Sequence, residues 1–368
     1  MFSPMKSLTY SRRNFLGTLA TAGAVASLSG RPLVHAATER KIKLGIDNFA
    51  VRAMNWKADA LIEYAAKLKT DSLLISDLNA LTSFEEPYLQ GLRKKAADVG
   101  LQIQLGTWSI CPTSRTFKKD WGTAEEHLAL AIRIARSLGS PVLRVVLGSG
   151  EDRKTPGGIE ARIADTVKVC QKLKTQAVDA GVKIAVENHA GDLQSWELVQ
   201  LIEAAGKDFV GANMDSGNAT WTLEDPMVSL EILGPYALTT SLRDSAIWES
   251  EKGATVQWTA MGEGSLDVKA YFKRFTELCP GVPVHIETIS GFNRDIPYLE
   301  PGFWTSYPKA RASEFARFVA LAKKGKPRAA HKHPAGVDGK LAEQDYQKAE
   351  IERSIRNCKE LFGLGEKS

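Results

Sequence analysis

The chain has 368 residues, of which 43% are hydrophobic and 25% charged, an ordinary balance for a globular protein with a large core. Its cysteines at 111, 170, 279 and 358 are widely spaced and form no CxxC pair, so we interpret them as buried apolar side chains. The net charge is +5, but residues 1–36 carry four basic and no acidic side chains, which leaves +1 on the remainder. This balance excludes a general nucleic-acid or membrane-surface binder.

The N-terminus has the pattern of an export signal. Residues 11–16 (SRRNFL) place two arginines ahead of an apolar, small-residue run over 17–29, and residues 34–36 (VHA) suit a peptidase. We predict a twin-arginine signal peptide over 1–36, so the mature protein is expected to be periplasmic or otherwise exported. The apolar run is short for a membrane span, although an uncleaved anchor is the alternative.

Strand-type apolar segments alternate with helical segments across residues 41–323. Strands are predicted over 41–49, 72–77, 101–107, 142–147, 183–189, 209–215, 238–243 and 282–288. Helices are predicted between the early strands, over 57–69, 85–99, 123–138 and 158–180. Eight strands in β–α alternation predict an α/β fold, a closed (β/α)8 TIM barrel in a single domain over 41–323. No GxGxxG follows the first strand, which argues against a dinucleotide-binding sheet.

The chain continues well beyond the eighth strand. Residues 289–310 form a loop rich in glycine, proline and aromatic residues, which leaves the rim where barrel sites are built and could cover it. A helix is predicted over 311–323. A basic linker and a C-terminal helix are predicted over 324–368, the helix packing on the barrel or on a partner subunit. A homo-oligomer therefore stays open.

Acidic residues stand near the ends of three predicted strands. Glu187, Asp215 and Glu287 each follow an apolar run, and the ends of barrel strands are where active sites form. Three inward carboxylates repel one another unless protons or a cation neutralise them, and a hard divalent ion with oxygen ligands does so economically. The alternative is that each acid caps a helix or forms a salt bridge on the rim.

Five segments carry a resemblance to a known family. They are IAVENHAG (184–191), GANMDSGN (211–218), TTSLRD (239–244), MGEGSLDVKAYF (261–272) and PVHIET (283–288). In this order they resemble successive signatures of the xylose isomerase-like TIM barrels, the sugar phosphate isomerase/epimerase superfamily, over about 41–320.

The resemblance implies a divalent metal (Mn, Co, Mg or Zn) held by Glu, Asp, His and Glu from the fifth to eighth strands. By position, the metal ligands would be Glu187, Asp215 and Glu287. The two glutamates, Glu187 and Glu287, would also be the catalytic residues, transferring a proton through a cis-enediolate. The substrate would be a small carbohydrate, with no nucleic acid involved.

The chain departs from the family pattern at two positions. The seventh strand of the family reads His-x-Lys-Asp, whereas this chain places Ser241 at the histidine and Arg243 at the lysine. Asn218 stands where such epimerases often have a substrate-binding histidine. A metal site completed by water or by His189 therefore stays open.

Strand parity and aromatic side chains predict the substrate contacts. Side chains two residues apart share a face of a strand, which places His189 beside Glu187 and Arg243 beside Ser241. Tryptophans that follow strands offer flat apolar faces to sugar rings, although packing of loops is the alternative. The predicted substrate-binding residues are His189, Asn218, Ser241, Arg243, Trp108 and Trp248.

Several functions fit these residues. The first is an exported sugar isomerase or epimerase. The second is a 3-keto-glycoside lyase or hydrolase of the same fold, acting by β-elimination after the same proton abstraction. The third is a non-catalytic sugar-binding barrel that lost its metal. An apurinic-site endonuclease shares the fold, but it needs a histidine-rich zinc site, and only His127, His189 and His285 lie in the barrel.

Overall fold

Eight parallel strands form the central sheet in a computed structural model of the chain, which describes residues 41–367. Their order around the sheet is β10-β1-β2-β3-β4-β5-β6-β7, and every neighbouring pair is parallel. The strands are β1 Leu44–Asp47, β2 Ser72–Ile75, β3 Gln102–Ser109, β4 Val142–Val146, β5 Lys183–Glu187, β6 Val210–Met214, β7 Ala237–Thr240 and β10 Val284–Ile286.

The sheet is nearly closed into a barrel between β7 and β10. Leu242, just past β7, forms a parallel bridge with Ile286. The amide of Leu242 donates to the carbonyl of His285 over 2.7 Å, and the amide of Glu287 donates to the carbonyl of Leu242 over 2.9 Å. The predicted (β/α)8 TIM barrel is confirmed, as are all eight predicted strands.

Helices surround the barrel and begin and end where the sequence supplies caps. The helix α3 opens on a capping box of Thr123 and Glu126 and ends at Gly139, whose φ of 71° suits glycine. The helices are α1 Ala58–Lys67, α2 Glu86–Asp98, α3 Ala124–Leu138, α4 Gly158–Lys172, α5 Lys174–Ala180, α6 Ser195–Ala205, α7 Ser216–Trp221, α8 Pro226–Leu233, α9 Val268–Leu278, α10 Ala312–Lys324 and α11 Gly339–Glu360.

A second, antiparallel sheet lies beyond the barrel and was not predicted. It consists of β8 Asp244–Ser250, β9 Gly253–Thr259 and β11 Asn293–Ile296, in the order β11-β9-β8. Its side chains form a core of their own with α10, in which Val256, Ile296 and Phe318 are buried. The segment predicted as a loop over 289–310 therefore contains a strand and a 3-10 helix, Pro301–Ser306.

The C-terminal helix α11 packs on the barrel. The side chain of Gln347 accepts from the amide of Ala53 over 2.9 Å, and Asn357 donates to the carbonyl of Met261 over 2.9 Å. All four cysteines are free and buried, as predicted. Across residues 41–367, none of the helices combines the length and apolar character that a membrane crossing requires. The signal peptide predicted over 1–36 lies outside the described residues.

Candidate active site

Three buried carboxylates meet at the carboxyl end of the barrel. Glu187 is the last residue of β5, Asp215 follows β6 directly, and Glu287 follows β10. One oxygen from each side chain lies within 4.8 Å of the other two. The structure therefore brings together the three residues that the sequence singled out, because parallel strands end at one rim of the barrel.

The carboxylate of Glu187 is held by donors from neighbouring strands. Its Oε2 accepts from Nε of Arg144 over 2.5 Å and from Nδ2 of Asn213 over 2.8 Å. Its Oε1 accepts from Nδ2 of Asn218 over 3.2 Å. These contacts fix the orientation of Glu187, and Arg144 forms a fully buried ion pair with it.

Asp215 joins the site to the start of α7. Its Oδ1 accepts from the amides of Gly217 and Asn218, over 2.8 and 2.9 Å, and so caps that helix. Its Oδ2 accepts from Nδ2 of Asn218 over 2.5 Å and also contacts Arg243. The aspartate is therefore at once a helix cap and a member of the carboxylate cluster.

Arg243 lies between two of the three acids. Its Nη2 contacts Oδ2 of Asp215 and Oε2 of Glu287, and its Cζ lies 4.2 Å from the ring centroid of Trp258. Its Nε and Nη1 are buried and have no hydrogen-bond partner within residues 41–367. Arginine has five donors in a fixed fork, so these free donors suit an oxygen-rich ligand.

A fourth buried acid, Asp47 at the end of β1, belongs to the same cluster. Its Oδ1 accepts from the hydroxyl of Ser76 over 2.6 Å, and its Oδ2 accepts from the hydroxyl of Ser241 over 3.0 Å. Sequence analysis missed Asp47, although it ends a strand in the same way as the other acids. With four acids against Arg144 and Arg243, the ionised cluster carries two negative charges in excess.

Burial and neighbouring charges move the pKa values of these acids in different directions. Burial raises the pKa of Asp215 to about 7, and it also raises the pKa of Glu287 well above its usual range. Burial is also the largest single influence on Glu187 and opposes its ionisation, but Arg144 and the other cationic neighbours together lower the pKa of that carboxyl. Burial raises the pKa of Asp47 as well, so the pKa is raised in three of the four acids.

Two of the predicted substrate-binding residues, Ser241 and Trp248, do not line the cavity that opens on the carboxylates. Ser241 is buried and bonds Asp47, and it does not line the cavity described below. Trp248 is buried on β8, outside that cavity.

His285 lies deeper in the barrel, where its Nδ1 is 3.3 Å from the hydroxyl of Thr239. Burial lowers the pKa of His285 to about 3, so its imidazole is neutral.

A cavity of about 290 Å³ opens directly onto the carboxylates. Four of the predicted substrate-binding residues line it: Trp108, His189, Asn218 and Arg243. The cavity is also lined by five residues that were not among the predicted substrate contacts: Phe49, Arg52, Trp221, Trp258 and Phe292. Trp258 lies on a strand that was not predicted, whereas Phe49 and Arg52 follow β1 in a 3-10 helix.

The histidine of this cavity has a defined tautomer. Nδ1 of His189 lies 2.6 Å from the carbonyl oxygen of Gly148, which only accepts, so the proton is on Nδ1. Burial lowers the pKa of His189, and Nε2 is left as a hydrogen-bond acceptor. Trp108 packs edge-on against the ring, with centroids 5.3 Å apart. His189 is thus placed to accept from a ligand hydroxyl.

Comparison with known proteins assigns the fold to a family. The sequence profile of the family described as "Xylose isomerase-like TIM barrel" matches residues 62–302, more than half of the chain. The chain belongs to this family. Among curated proteins, it is similar to a 3-oxo-isoapionate decarboxylase from Pectobacterium atrosepticum, with 22% identity over 213 residues, 57% of this chain and 70% of the relative.

Solved members of the fold superpose on most of the chain. A D-psicose 3-epimerase in the presence of D-fructose matches with a TM-score of 0.57 and 14% identity, covering 88% of this chain and all of the epimerase. The IOLI protein with a zinc atom, and a xylose isomerase-like TIM barrel protein from Mycobacterium smegmatis with magnesium, each give a TM-score of 0.53 at 15% identity. Each covers 78% of this chain, and 100% and 98% of the respective structures. These likenesses support the fold.

The buried cluster is consistent with a divalent metal. Carboxylate oxygens are the ligands that hard divalent cations prefer, and two positive charges would balance the excess of negative charge. Ser241 supplies no imidazole at the remaining family position, and its hydroxyl already bonds Asp47. In donor type and in charge, Glu187, Asp215 and Glu287 fit such an ion.

Proposed function

We propose that the chain is a sugar isomerase or epimerase in which one buried glutamate removes a proton from the substrate and a second buried glutamate returns one. One observation carries the proposal: Glu187 and Glu287 converge with Asp215 at the floor of a cavity whose walls combine tryptophans, an imidazole and a guanidinium. Aromatic faces suit the C–H faces of a sugar, while polar groups suit its hydroxyls. The epimerases of the same fold support the reaction class.

In the proposed reaction, the substrate carries a carbonyl next to a hydroxyl-bearing carbon. One glutamate takes the proton from that carbon, and the C–H electron pair forms the double bond of an enediolate. The other glutamate, which starts protonated, returns a proton either to the opposite face of the same carbon or to the former carbonyl carbon. In the second case the hydroxyl proton also passes to the former carbonyl oxygen, so that the new carbonyl forms. The first outcome is epimerisation and the second is isomerisation.

A divalent ion held by Glu187, Asp215 and Glu287 would polarise the carbonyl and stabilise the developing negative charge. The chain's own residues supply the remaining functions. Nε2 of His189 accepts from a substrate hydroxyl, and the free donors of Arg243 bind an oxygen of the substrate. Asn218 bridges Glu187 and Asp215 and keeps both carboxylates in place.

The test is product analysis of the mature protein. The protein is incubated with ketohexoses, ketopentoses and 3-keto-disaccharides, each with and without Mn, Co, Mg or Zn, and the products are identified by chromatography and nuclear magnetic resonance. A new epimer or aldose–ketose pair supports the proposal. Sugar binding without turnover under every condition contradicts it and leaves a non-catalytic sugar-binding barrel.

A second candidate is a lyase that acts on keto-sugars. It is favoured by the similarity to a protein named as a decarboxylase of a 3-oxo compound, since a 3-oxo group also stabilises the charge left by bond cleavage. Here a glutamate would take the proton beside the keto group, and the substituent one carbon further would leave with its electron pair. Release of the free aglycone or second sugar from a 3-keto-glycoside would identify this reaction.

We also propose that the protein is exported by the twin-arginine route. The pattern at residues 11–16 and the following apolar run support this. The test is fractionation of cells that express the full chain. Wild type is expected in the periplasm, and replacing both Arg12 and Arg13 by lysine should retain it in the cytoplasm. Export that is unaffected by this change would contradict the proposal.

A further inference from the structure

A second cavity lies beside the one that opens on the carboxylates. Its volume is about 490 Å³, and it is bounded by Trp221, Arg294, Tyr307 and the polar residues Glu151 and Lys154. We call the cavity on the carboxylates the inner cavity and this second one the outer cavity. Trp221 lines both, so the two cavities share its indole as a common wall. Together they fall within the range of small-molecule sites, whereas the inner cavity alone is at its lower end.

The shared wall is a four-layer stack that runs outward from the carboxylates. Trp258 and Trp221 are parallel within 9°, with ring centroids 3.9 Å apart. The guanidinium of Arg243 lies 4.2 Å from the Trp258 ring, and that of Arg294 lies 3.8 Å from the Trp221 ring. Each ring has two faces, so the order is Arg243, Trp258, Trp221, Arg294. Cation–π contacts stabilise both ends of the stack.

The far wall of the outer cavity is fixed by a buried arginine. Cζ of Arg153 lies 4.1 Å from the Tyr307 ring, and its Nε donates to the carbonyl of Ser306 over 3.1 Å. The same guanidinium forms a buried, bidentate ion pair with Glu197. The cavity is therefore built on packed elements, and its shape is preorganised for a ligand.

Arg294 has free hydrogen-bonding capacity at the boundary between the two cavities. Within residues 41–367 its guanidinium forms no ion pair, and its charged group stacks on the Trp221 ring. Lys154 and Glu151 pair with each other over 2.7 Å on the same cavity. Charged groups of both signs beside the free donors of Arg294 provide the hydrogen-bond donors and acceptors that suit a neutral, hydroxyl-rich ring.

We propose that the outer cavity is a subsite for the second ring of a glycoside, so the substrate class is a two-ring sugar. The reacting ring lies on the carboxylates, and the other ring lies between Arg294 and the segment that contains Tyr307. This inference rests on the proposed function, because it assumes that the inner cavity binds the reacting sugar. In addition, contacts between the non-reacting ring and the outer cavity, on the far side of Trp221, contribute to the free energy of binding.

The test measures equilibrium binding by calorimetry, independently of turnover. D-glucose and D-galactose are compared with cellobiose, maltose and lactose on the mature protein. We expect at least one disaccharide to bind about tenfold or more tightly than its component sugars, which corresponds to about 1.4 kcal/mol. If all five sugars bind equally while keto-monosaccharides are turned over, the subsite is wrong and the proposed function stands.

Two variants and a control locate the effect. Arg294→Ala removes the free donors, and Gly302→Trp fills the outer cavity, since Gly302 lines it and has open space where a Cβ would be. Both should abolish the preference for the disaccharide and leave the binding of monosaccharides unchanged. Arg136→Ala, an exposed change on α3, should alter neither the preference for the disaccharide nor the binding of monosaccharides. Equal losses for both kinds of sugar overturn the subsite, and no binding or turnover of any sugar overturns the proposed function with it.

Discussion

Nη2 of Arg243 contacts Oε2 of Glu287, and the same nitrogen contacts Oδ2 of Asp215. A single guanidinium thus contacts two of the three carboxylates that would hold a divalent ion, and it offsets one of their negative charges. A metal bound through these two oxygens would have to share them with Arg243 or displace its side chain. Arg243 is therefore the residue on which the metal affinity of this site should depend most.

We expect Arg243→Gln to bind Mn²⁺ about tenfold or more tightly than wild type. The change removes a positive charge from Asp215 and Glu287, and like charges beside a cation site weaken binding. The measurement is calorimetric titration of chelator-treated protein with Mn²⁺. Arg274→Gln, which removes an exposed arginine from an ion pair with Glu231, is the control. Equal or weaker Mn²⁺ binding in Arg243→Gln would show that Arg243 does not compete for these carboxylates.

His189→Phe should raise KM for the substrate about tenfold, with little change in kcat. Phenylalanine keeps the packing against Trp108 but lacks the Nε2 acceptor, and a lost hydrogen bond of this kind costs roughly 1 kcal/mol or somewhat more. The measurement is steady-state kinetics, with thermal unfolding to confirm that the variant is folded. A fall in kcat at constant KM would contradict a binding role and indicate one in proton transfer.

The buried Glu224 predicts a loss of stability at alkaline pH. Burial raises its pKa to about 8 in the folded protein, although it accepts hydrogen bonds from Ser195. Between about pH 4.5 and 8 the folded state therefore holds a proton that the unfolded state has lost, and the stability contributed by this proton disappears as the pH rises.

We accordingly expect the free energy of unfolding to fall by on the order of a few kcal/mol between pH 5 and pH 9. Glu224→Gln should reduce this dependence without removing it, since burial also raises the pKa of Asp192 to about 8. Glu251→Gln, in the exposed turn between β8 and β9, should leave it unchanged. Urea unfolding at a series of pH values is the measurement. Identical pH profiles for wild type and Glu224→Gln would show that this carboxyl titrates normally in the fold.

The barrel could be predicted because its strands are short, apolar and separated by amphipathic helices. The second sheet could not, because its strands follow β7 directly and form a hairpin instead of a β–α unit. The turn at residues 251–252 lacks an Asn-Gly or Asp-Gly signal, although Gly253 after it has a φ of 147°. The sheet is held by its pairing and by a core shared with α10, and neither is local in sequence.

The candidate site was likewise only partly predictable from the sequence. Glu187, Asp215 and Glu287 end strands of one parallel barrel, so their convergence follows from the topology. The partners of Trp221 and Arg243 depend instead on β9, which supplies Trp258 to the stack. Trp248 was predicted to bind substrate, but it lies on β8 away from the cavity, and only the position of that strand determines this.

Solvent deuterium exchange tests most directly the central claim, that Glu187 and Glu287 remove a proton from a substrate carbon and return one. The protein is incubated in D2O with the panel of keto-sugars and 3-keto-glycosides, and deuterium on carbon is followed by nuclear magnetic resonance. We expect exchange beside the carbonyl in wild type and in Glu251→Gln, and a loss of about 10²–10⁴-fold in Glu187→Gln and in Glu287→Gln. No exchange with any sugar in wild type, or undiminished exchange in both variants, would contradict the account.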